Sequence, residues 1–333
     1  MKSVHLVIPD LLLPPDLAAA VCAGLDTPVL GQMLGRAVSG GEMLPQKALE
    51  QRVSELCGLS SGVSHAHLFA RHDGLEEGHW LRADPVYLEV QRDRLVLQEV
   101  ALDMALSTAL CDDLNRHFAA DGLVFVAPHP QRWYVRCAGQ PQIATTPLFE
   151  AVGQDVQSLL PVGTEALAWI RHFNEIQMLL YGHAHNEARE AAGKTPVNSV
   201  WFWGEGDAPG DLTPDISWLV TDHDFSRQLA AASGVPHSGW RLPWQPDSAD
   251  TQLLVWEGLQ DAARRGDWQA WRESLATLES ALARPLWEAL RAGRITQVVL
   301  EIGGVSGWQH AVLKRRDTLA FWRPARNPAT GWV

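Results

Sequence analysis

VHLVIPD, residues 4–10, is a short apolar run that ends at an acidic residue. An apolar run of this length, bounded by a proline, is typical of a buried central strand in a parallel sheet. Helical spacing follows it at residues 16–22, 29–37 and 46–57, and Asp26-Thr27-Pro28 supplies the cap and first turn of the second of these helices. The amino-terminal segment therefore predicts the beginning of an α/β unit.

Apolar strands alternate with helical segments again in the last third of the chain. Strands are predicted at 197–203, 216–221, 253–256 and 297–302, with a long helix at 272–291. This alternation favours a mainly parallel sheet flanked by helices. The middle of the chain differs, with a hairpin at 82–97, helices at 99–119 and 163–181, and strands at 123–127 and 132–136. We therefore predict an α/β core formed by residues 1–79 and 197–333, into which an α+β domain, residues 80–196, is inserted.

Composition indicates an ordinary globular protein that does not bind nucleic acid. Hydrophobic residues make up 46% of the 333 residues, and the formal net charge of -12 would repel a phosphodiester backbone. The four cysteines are widely scattered, which favours neither a zinc site nor a disulfide framework. The amino-terminal apolar stretch is too short and too rich in proline for a signal peptide, and no run is long enough to span a membrane. We expect a cytoplasmic protein without membrane association.

NEAREAAGKTPVNSVWFWGEG, residues 186–206, contains Asn186, Arg189, Asn198 and a strand that ends in Trp-Gly-x-Gly. The order and spacing of these residues resemble a signature of the archaeal-type cofactor-independent phosphoglycerate mutases. RADPV at 82–86, RWY at 132–134 and NEIQM at 174–178 resemble a bacterial group labelled as RpfE-type regulatory proteins. The resemblance implies an alkaline-phosphatase-like α/β core with an inserted domain. This implied fold agrees with the domain organisation that we predict from the strands and helices.

Enzymes of this family move a phosphoryl group between two positions of glycerate through a phosphoserine, and two divalent cations such as Mn²⁺ assist them. The family's first metal-binding aspartate corresponds to Asp10 in this chain. The candidate for the nucleophile is Ser64, which lies with Ser60 and Ser61 in the loop 60–64. The family's later Asp-x-x-x-His matches Asp261, but its histidine position holds Arg265.

The remaining ligands of the family are replaced or incomplete in this chain. Gly303 and Gly304 stand where the family has an Asp-His pair, and His310 is the candidate for its last histidine. Arginine has no lone pair to donate and glycine has no side chain, so Asp10, Asp261 and His310 are too few for two metal ions. The resemblance thus implies a protein that has lost its metal site.

Other residues are candidates for binding a ligand. Arg264 and Arg265 can hold a phosphate without a metal, or they can be exposed loop arginines. Asn186, Arg189 and Asn198 can contact a ligand or can tie turns and a helix end together. Asp222-His223-Asp224 reads either as metal ligands or as a capping turn, and the pairs His65/His67 and His183/His185 lack a convincing acidic third ligand.

Three functions are compatible with these residues. The first is a catalytically degenerate mutase homologue without a cofactor, which binds a phosphorylated small molecule or a protein partner as a regulator. The second is an active metal-dependent phosphomutase or phosphoesterase that acts on a small phosphorylated metabolite. The third is an interaction protein, suggested by the tryptophans concentrated beyond residue 200.

Overall fold

The computed structural model describes residues 2–41, 43–60, 62–210, 212–246 and 249–332. The chain forms two compact units, which we call the core unit (Met1–Gly58 with Leu212–Val333) and the inserted unit (Leu59–Asp211). Among the described residues, no helix has the length and hydropathy that crossing a bilayer requires.

The core unit is built around a seven-stranded sheet. Its strands are β1 (Ser3–Leu12), β2 (Val38–Ser39), β8 (Trp218–Val220), β9 (His237–Ser238), β10 (Thr251–Val255), β11 (Gln297–Gly304) and β12 (Gly307–Lys314). The order across the sheet is β2-β12-β11-β1-β10-β8-β9, and the five strands from β11 to β9 are parallel. The helices are α1 (Pro15–Val21), α2 (Pro28–Arg36), α3 (Leu49–Leu56), α9 (Asp224–Ala232), α10 (Gln260–Arg265), α11 (Trp268–Leu278) and α12 (Arg284–Arg291). The predicted α/β class with a mainly parallel sheet is confirmed.

Strand β1 lies at the centre of this sheet because its side chains are apolar on both faces. Val4, Leu6 and Ile8 are buried in the core cluster that also contains the helices α2, α11 and α12, and Val7 is buried as well. β1 pairs with β10 on one side and with β11 on the other, parallel to both. The first apolar run of the sequence therefore does decide the fold of this unit.

The amino terminus of α2 is capped from a distant part of the chain. Thr27 makes no capping hydrogen bond with its side chain. Instead, the buried carboxylate of Glu279 accepts hydrogen bonds from the backbone N–H groups of Val29 (3.0 Å) and Leu30 (2.8 Å). Glu279 begins a π-helical segment, Glu279–Ala283, that joins α11 to α12. The helix predicted at 272–291 is therefore longer than expected and is interrupted by this π-helical segment. The negative charge of Glu279 lies at the amino terminus of α2 and stabilises the partial positive charge there.

The inserted unit contains a second, antiparallel sheet. Its strands are β3 (His79–Gln91), β4 (Arg94–Glu99), β5 (Val124–His129), β6 (Arg132–Cys137) and β7 (Ser199–Trp203). Four of them follow the order β4-β3-β6-β5, and β7 pairs with β3. The helices are α4 (His65–His72), α5 (Met104–His117), α6 (Leu148–Ala151), α7 (Ala166–Leu180) and α8 (Ala184–Ala191).

The boundaries between the two units differ from those that the sequence predicted. We expected the strand at 197–203 to belong to the core sheet, but β7 runs antiparallel to β3 in the second sheet. All five residues of β7 are buried, so its sequence shows the same continuous apolar run as a central parallel strand. The helix α4, which begins directly after Ser64, also belongs to the inserted unit.

Candidate functional site

Asp10 lies at the carboxyl end of the central strand of the core unit, where the pairing of β1 with β11 shifts register between Ile8 and Leu12. Its backbone adopts φ +53°, a left-handed conformation that is uncommon for a residue other than glycine. The indole N–H of Trp271 donates to the backbone carbonyl of Asp10 at 3.0 Å and helps to hold this conformation. Backbone strain of this kind is found most often where a side chain must point to a functional position.

Two residues of α10 interact with the carboxylate of Asp10. Burial raises the pKa of Asp10, while the positive charge of Arg264 and a hydrogen bond with the Gln260 side chain act to lower it. Gln260 and Arg264 are four residues apart and therefore lie on the same face of the helix. Asp261 and Arg265, which the family pattern singles out, are one position further along and both are exposed. The face of α10 that meets Asp10 thus carries an amide and a guanidinium.

A buried carboxylate, Glu50, acts on Asp10 through its charge and is paired with a histidine. Glu50 of α3 is only 5% exposed, and its negative charge also acts to raise the pKa of Asp10. Its Oε1 lies 3.2 Å from Nε2 of His223, whose Nδ1 lies 2.9 Å from the hydroxyl of Ser226. His223 follows the carboxyl end of β8 at the start of α9. The edge of the sheet therefore brings together groups from β1, α3, α9 and α10.

The segment Asp222-His223-Asp224 is organised by a neighbouring strand end. The carboxylate of Glu257, just beyond β10, accepts from the backbone N–H of Asp222 at 2.7 Å and from the hydroxyl of Thr221 at 3.2 Å. Thr221 in turn accepts from the backbone N–H of His223. These bonds fix the turn that holds His223 against Glu50.

Gly303 and Gly304 have no room for side chains. A Cβ at Gly303 would lie 2.9 Å from ring carbons of Trp308, and a Cβ at Gly304 would lie 2.2 Å from the carbonyl oxygen of Leu12. Both distances are far below van der Waals contact. The end of β11 is therefore closed by packing, and neither position can present a metal-binding group.

A second carboxylate of the core unit, Glu301, is almost fully buried. Arg52 donates to its two oxygens at 2.6 and 2.5 Å, His5 Nε2 lies 3.1 Å away, and His310 Nδ1 lies 3.5 Å away. Burial acts to raise the pKa of Glu301, but the hydrogen bonds from His310, His5 and Arg52 outweigh it and lower the pKa strongly. His310 therefore faces Glu301, its cross-strand partner. Among the described residues, no three His, Cys, Asp or Glu side chains are grouped so that they could hold a metal ion.

The candidates in the inserted unit are engaged by backbone groups. The side chain of Asn186 bonds to the backbone of Leu180 and Val197, and that of Asn198 bonds to both the N–H and the C=O of Leu88. Arg189 donates to the carbonyls of Thr195 and Ala101. The mutase-like signature is thus used here to join a helix, a loop and two strands.

Ser64 is fully buried and caps α4. Its hydroxyl accepts from the N–H of His67 at 3.0 Å and donates its proton to the carbonyl of Gly204 at 2.5 Å. Ser60 is exposed, and Ser61 lies outside the described residues. His67 Nδ1 lies 2.9 Å from the Ser64 hydroxyl, while burial lowers the pKa of His65 to about 4. His183 pairs with Asp113 at 2.8 Å rather than with an acidic residue near His185.

Comparisons with known proteins agree with the mutase resemblance over part of the chain. The chain is 29% identical over 110 residues to 2,3-bisphosphoglycerate-independent phosphoglycerate mutase 2 of Methanothermobacter thermautotrophicus, which covers 32% of this chain and 27% of that protein. It is 35% identical over 71 residues to a probable 2,3-bisphosphoglycerate-independent phosphoglycerate mutase of Geobacter sulfurreducens, covering 21% and 18% of the two chains. No protein-family model matches the chain. The sequence is therefore related to these mutases, and the matched segments span about a quarter or less of their length.

A solved structure shares the fold over nearly the full length. The PH0037 protein from Pyrococcus horikoshii has a TM-score of 0.59 with this chain at 14% sequence identity, over 98% of this chain and 91% of that one. At this level of identity the similarity concerns the fold alone.

Proposed function

We propose that the core unit binds a small phosphorylated metabolite at the carboxyl edge of its sheet, and that the chain is a catalytically degenerate relative of the cofactor-independent phosphoglycerate mutases. The observation that carries this proposal is the position of Asp10 at this edge, where the Gln260 side chain hydrogen-bonds to its carboxylate and the charge of Arg264 acts on it. Ligands of open α/β sheets bind at the carboxyl ends of the strands, which is where these side chains lie.

The donor atoms around Asp10 do not fit a two-metal centre. Divalent cations need several carboxylate or imidazole donors in a fixed arrangement. The helix face toward Asp10 carries the amide of Gln260 and the guanidinium of Arg264, and a guanidinium has no lone pair to donate. The packing around Gly303 and Gly304 leaves no space for side-chain donors from β11.

The same residues favour binding of an anion. The Arg264 side chain is exposed, and among the described residues no carboxylate lies within ion-pair distance of it. Its guanidinium can therefore take a phosphate with two parallel hydrogen bonds. The carboxylate of Asp10, on which the charge of Arg264 acts, can accept hydrogen bonds from the hydroxyls of a glycerate-like ligand. Binding without turnover suits a regulatory role, which is also what the likeness to the RpfE-type group implies.

Calorimetric titration with 3-phosphoglycerate tests this proposal, because two adjacent arginines provide a matched pair. Arg264→Gln removes the charge that faces Asp10, and Arg265→Gln removes an equally exposed charge that does not. A charge-assisted hydrogen bond contributes about 1.5–3 kcal/mol, so Arg264→Gln is expected to weaken binding at least about tenfold. Arg265→Gln is expected to change it less than about twofold by the loss of general surface charge alone. Equal effects of the two substitutions, or no saturable binding to the unmodified chain, would refute the proposal.

An active phosphomutase or phosphoesterase is the second candidate. The left-handed backbone of Asp10 and the buried pair of Glu50 with His223 favour this function, because such features concentrate at catalytic sites. The substitution Glu50→Gln distinguishes an active enzyme from a binding protein. In an active enzyme this substitution abolishes turnover, whereas in a binding protein it changes only the affinity.

A further inference from the structure

A second cavity of the core unit lies away from Asp10. Its volume is about 640 Å³, within the range of sites that hold small organic ligands. The floor is formed by Trp218, at the start of β8, and by Gln252, its cross-strand partner near the start of β10. The lining continues to Val220, Ser238 and Gly239 at the carboxyl ends of β8 and β9, but it includes neither Asp10 nor any residue of α3 or α10. The cavity is therefore separate from the site discussed above.

Gln252 is a buried residue that lines the cavity. It is only 4% exposed, and its side-chain amide makes no hydrogen bond with any residue in the described part of the chain. The amide atoms are not fully enclosed, so they are accessible to a ligand in the cavity. A primary amide presents an N–H donor and a C=O acceptor side by side, which is the pattern that pairs with the edge of a nucleobase.

Two tryptophans provide apolar surface in the same cavity. Trp218 is partly exposed, and its indole N–H points to the Ser238 hydroxyl at 3.4 Å, so its polar atom is occupied while ring surface remains available. Trp244 is buried and lines the cavity wall. Nucleobases stack favourably on exposed aromatic rings, whatever their sequence.

Arg241 gives the cavity a positive charge. Its side chain is exposed at the rim, and no Asp or Glu of the described chain lies within ion-pair distance of it. The described residues that line the cavity include no acidic side chain, although the chain as a whole carries a net charge of -12. An arginine without an acidic partner among the described residues can bind a phosphate.

We propose that this cavity binds a nucleoside monophosphate. The base lies against Trp218 with its edge toward the amide of Gln252, and the phosphate is held by Arg241. Each of the three groups recognises a different part of the ligand. Both the ring and the phosphate are therefore required for binding.

Titration calorimetry on the full chain tests the site with AMP, GMP, CMP and UMP as probes. At least one of them is expected to bind saturably. The corresponding nucleoside and ribose 5-phosphate, which lack the phosphate and the base respectively, are expected to bind at least about tenfold more weakly, since each loses a contact worth more than about 1.4 kcal/mol. Absence of saturable binding by all four nucleotides, or equal binding of ribose 5-phosphate, would overturn the proposal.

Single substitutions show which site binds the nucleotide. Arg241→Gln changes an exposed side chain and should not disturb folding, and it is expected to weaken binding of the nucleotide about tenfold or more. Gln252→Leu removes the amide at similar volume and is expected to do the same. Arg265→Gln removes an exposed arginine that belongs to neither site, so it is the control and should leave nucleotide binding unchanged, whereas Arg264→Gln asks whether the nucleotide occupies the Asp10 site instead. A loss with Arg264→Gln but not with Arg241→Gln would show that the nucleotide occupies the Asp10 site and would refute this cavity, independently of the outcome with 3-phosphoglycerate.

Discussion

Replacement of Glu301 by glutamine should destabilise the core unit far more than replacement of another carboxylate that binds the same arginine. Glu301 is 1% exposed, and its two oxygens accept hydrogen bonds from Arg52 at 2.6 and 2.5 Å. Glu55 also accepts from Arg52, at 2.6 Å, but its side chain is 35% exposed. Arg52 lies in α3, the helix that carries Glu50 to the candidate site. The comparison therefore tests what holds this helix in place.

The expected magnitudes follow from burial. Removal of one partner from a buried ion pair costs about 3–5 kcal/mol, because the remaining charge loses its compensation. The Arg52 side chain is 18% exposed and keeps Glu55, so we expect Glu301→Gln to cost about 3 kcal/mol, at the lower end of that range. An exposed ion pair contributes about 0–1 kcal/mol, which is the expected cost of Glu55→Gln.

Urea unfolding of the two variants and the unmodified chain measures these costs. The pKa of Glu301 is lowered in the folded state, so the stability that its charge confers is fully present above the unfolded pKa of about 4.3 and is lost as pH falls toward the folded value. The gap between the unmodified chain and Glu301→Gln should thus be full at pH 7 and should shrink below about pH 4.3. A gap under about 1 kcal/mol at pH 7, or one that fails to shrink below about pH 4.3, would refute this reasoning.

Three further predictions concern single residues of either unit. Asn198→Ala should lower the free energy of unfolding by about 2 kcal/mol, because both backbone groups of Leu88 lose their partner; a loss under about 0.5 kcal/mol in thermal unfolding would contradict this. Burial lowers the pKa of His65 to about 4, so its ring proton resonances should not titrate between pH 5.5 and 8, and a midpoint near 6.5 would be incompatible with the structure. Burial raises the pKa of the Cys57 thiol to about 12, so a disulfide reagent at pH 8 should modify it only after the chain is unfolded, and rapid modification of the folded chain would disprove its burial.

The fold was predictable where a pattern is local. The run at residues 4–10 is almost entirely apolar, which is typical of a buried central strand, and β1 is that strand. The strand at 199–203 was assigned to the wrong sheet, because a fully buried strand carries no sign of the direction of its neighbours.

The site was predictable only in part, for a similar reason. Asp10 follows directly from its place after the first strand. The family pattern matched residue types and so selected Asp261 and Arg265, whereas the helical phase of α10 directs Gln260 and Arg264 toward Asp10. A spacing of four from Arg264 would have found Gln260. No local signal points to Glu50, which reaches His223 from a helix distant in sequence.

The central claim is that this chain keeps the mutase-like scaffold and binds a phosphorylated metabolite without turning it over. Conversion of 3-phosphoglycerate to 2-phosphoglycerate in the presence of Mn²⁺, measured on protein whose bound metal has been quantified, tests it most directly. We expect no turnover above the protein-free control and far less than one divalent metal ion per chain. Stoichiometric metal together with turnover that Asp10→Asn abolishes would contradict it.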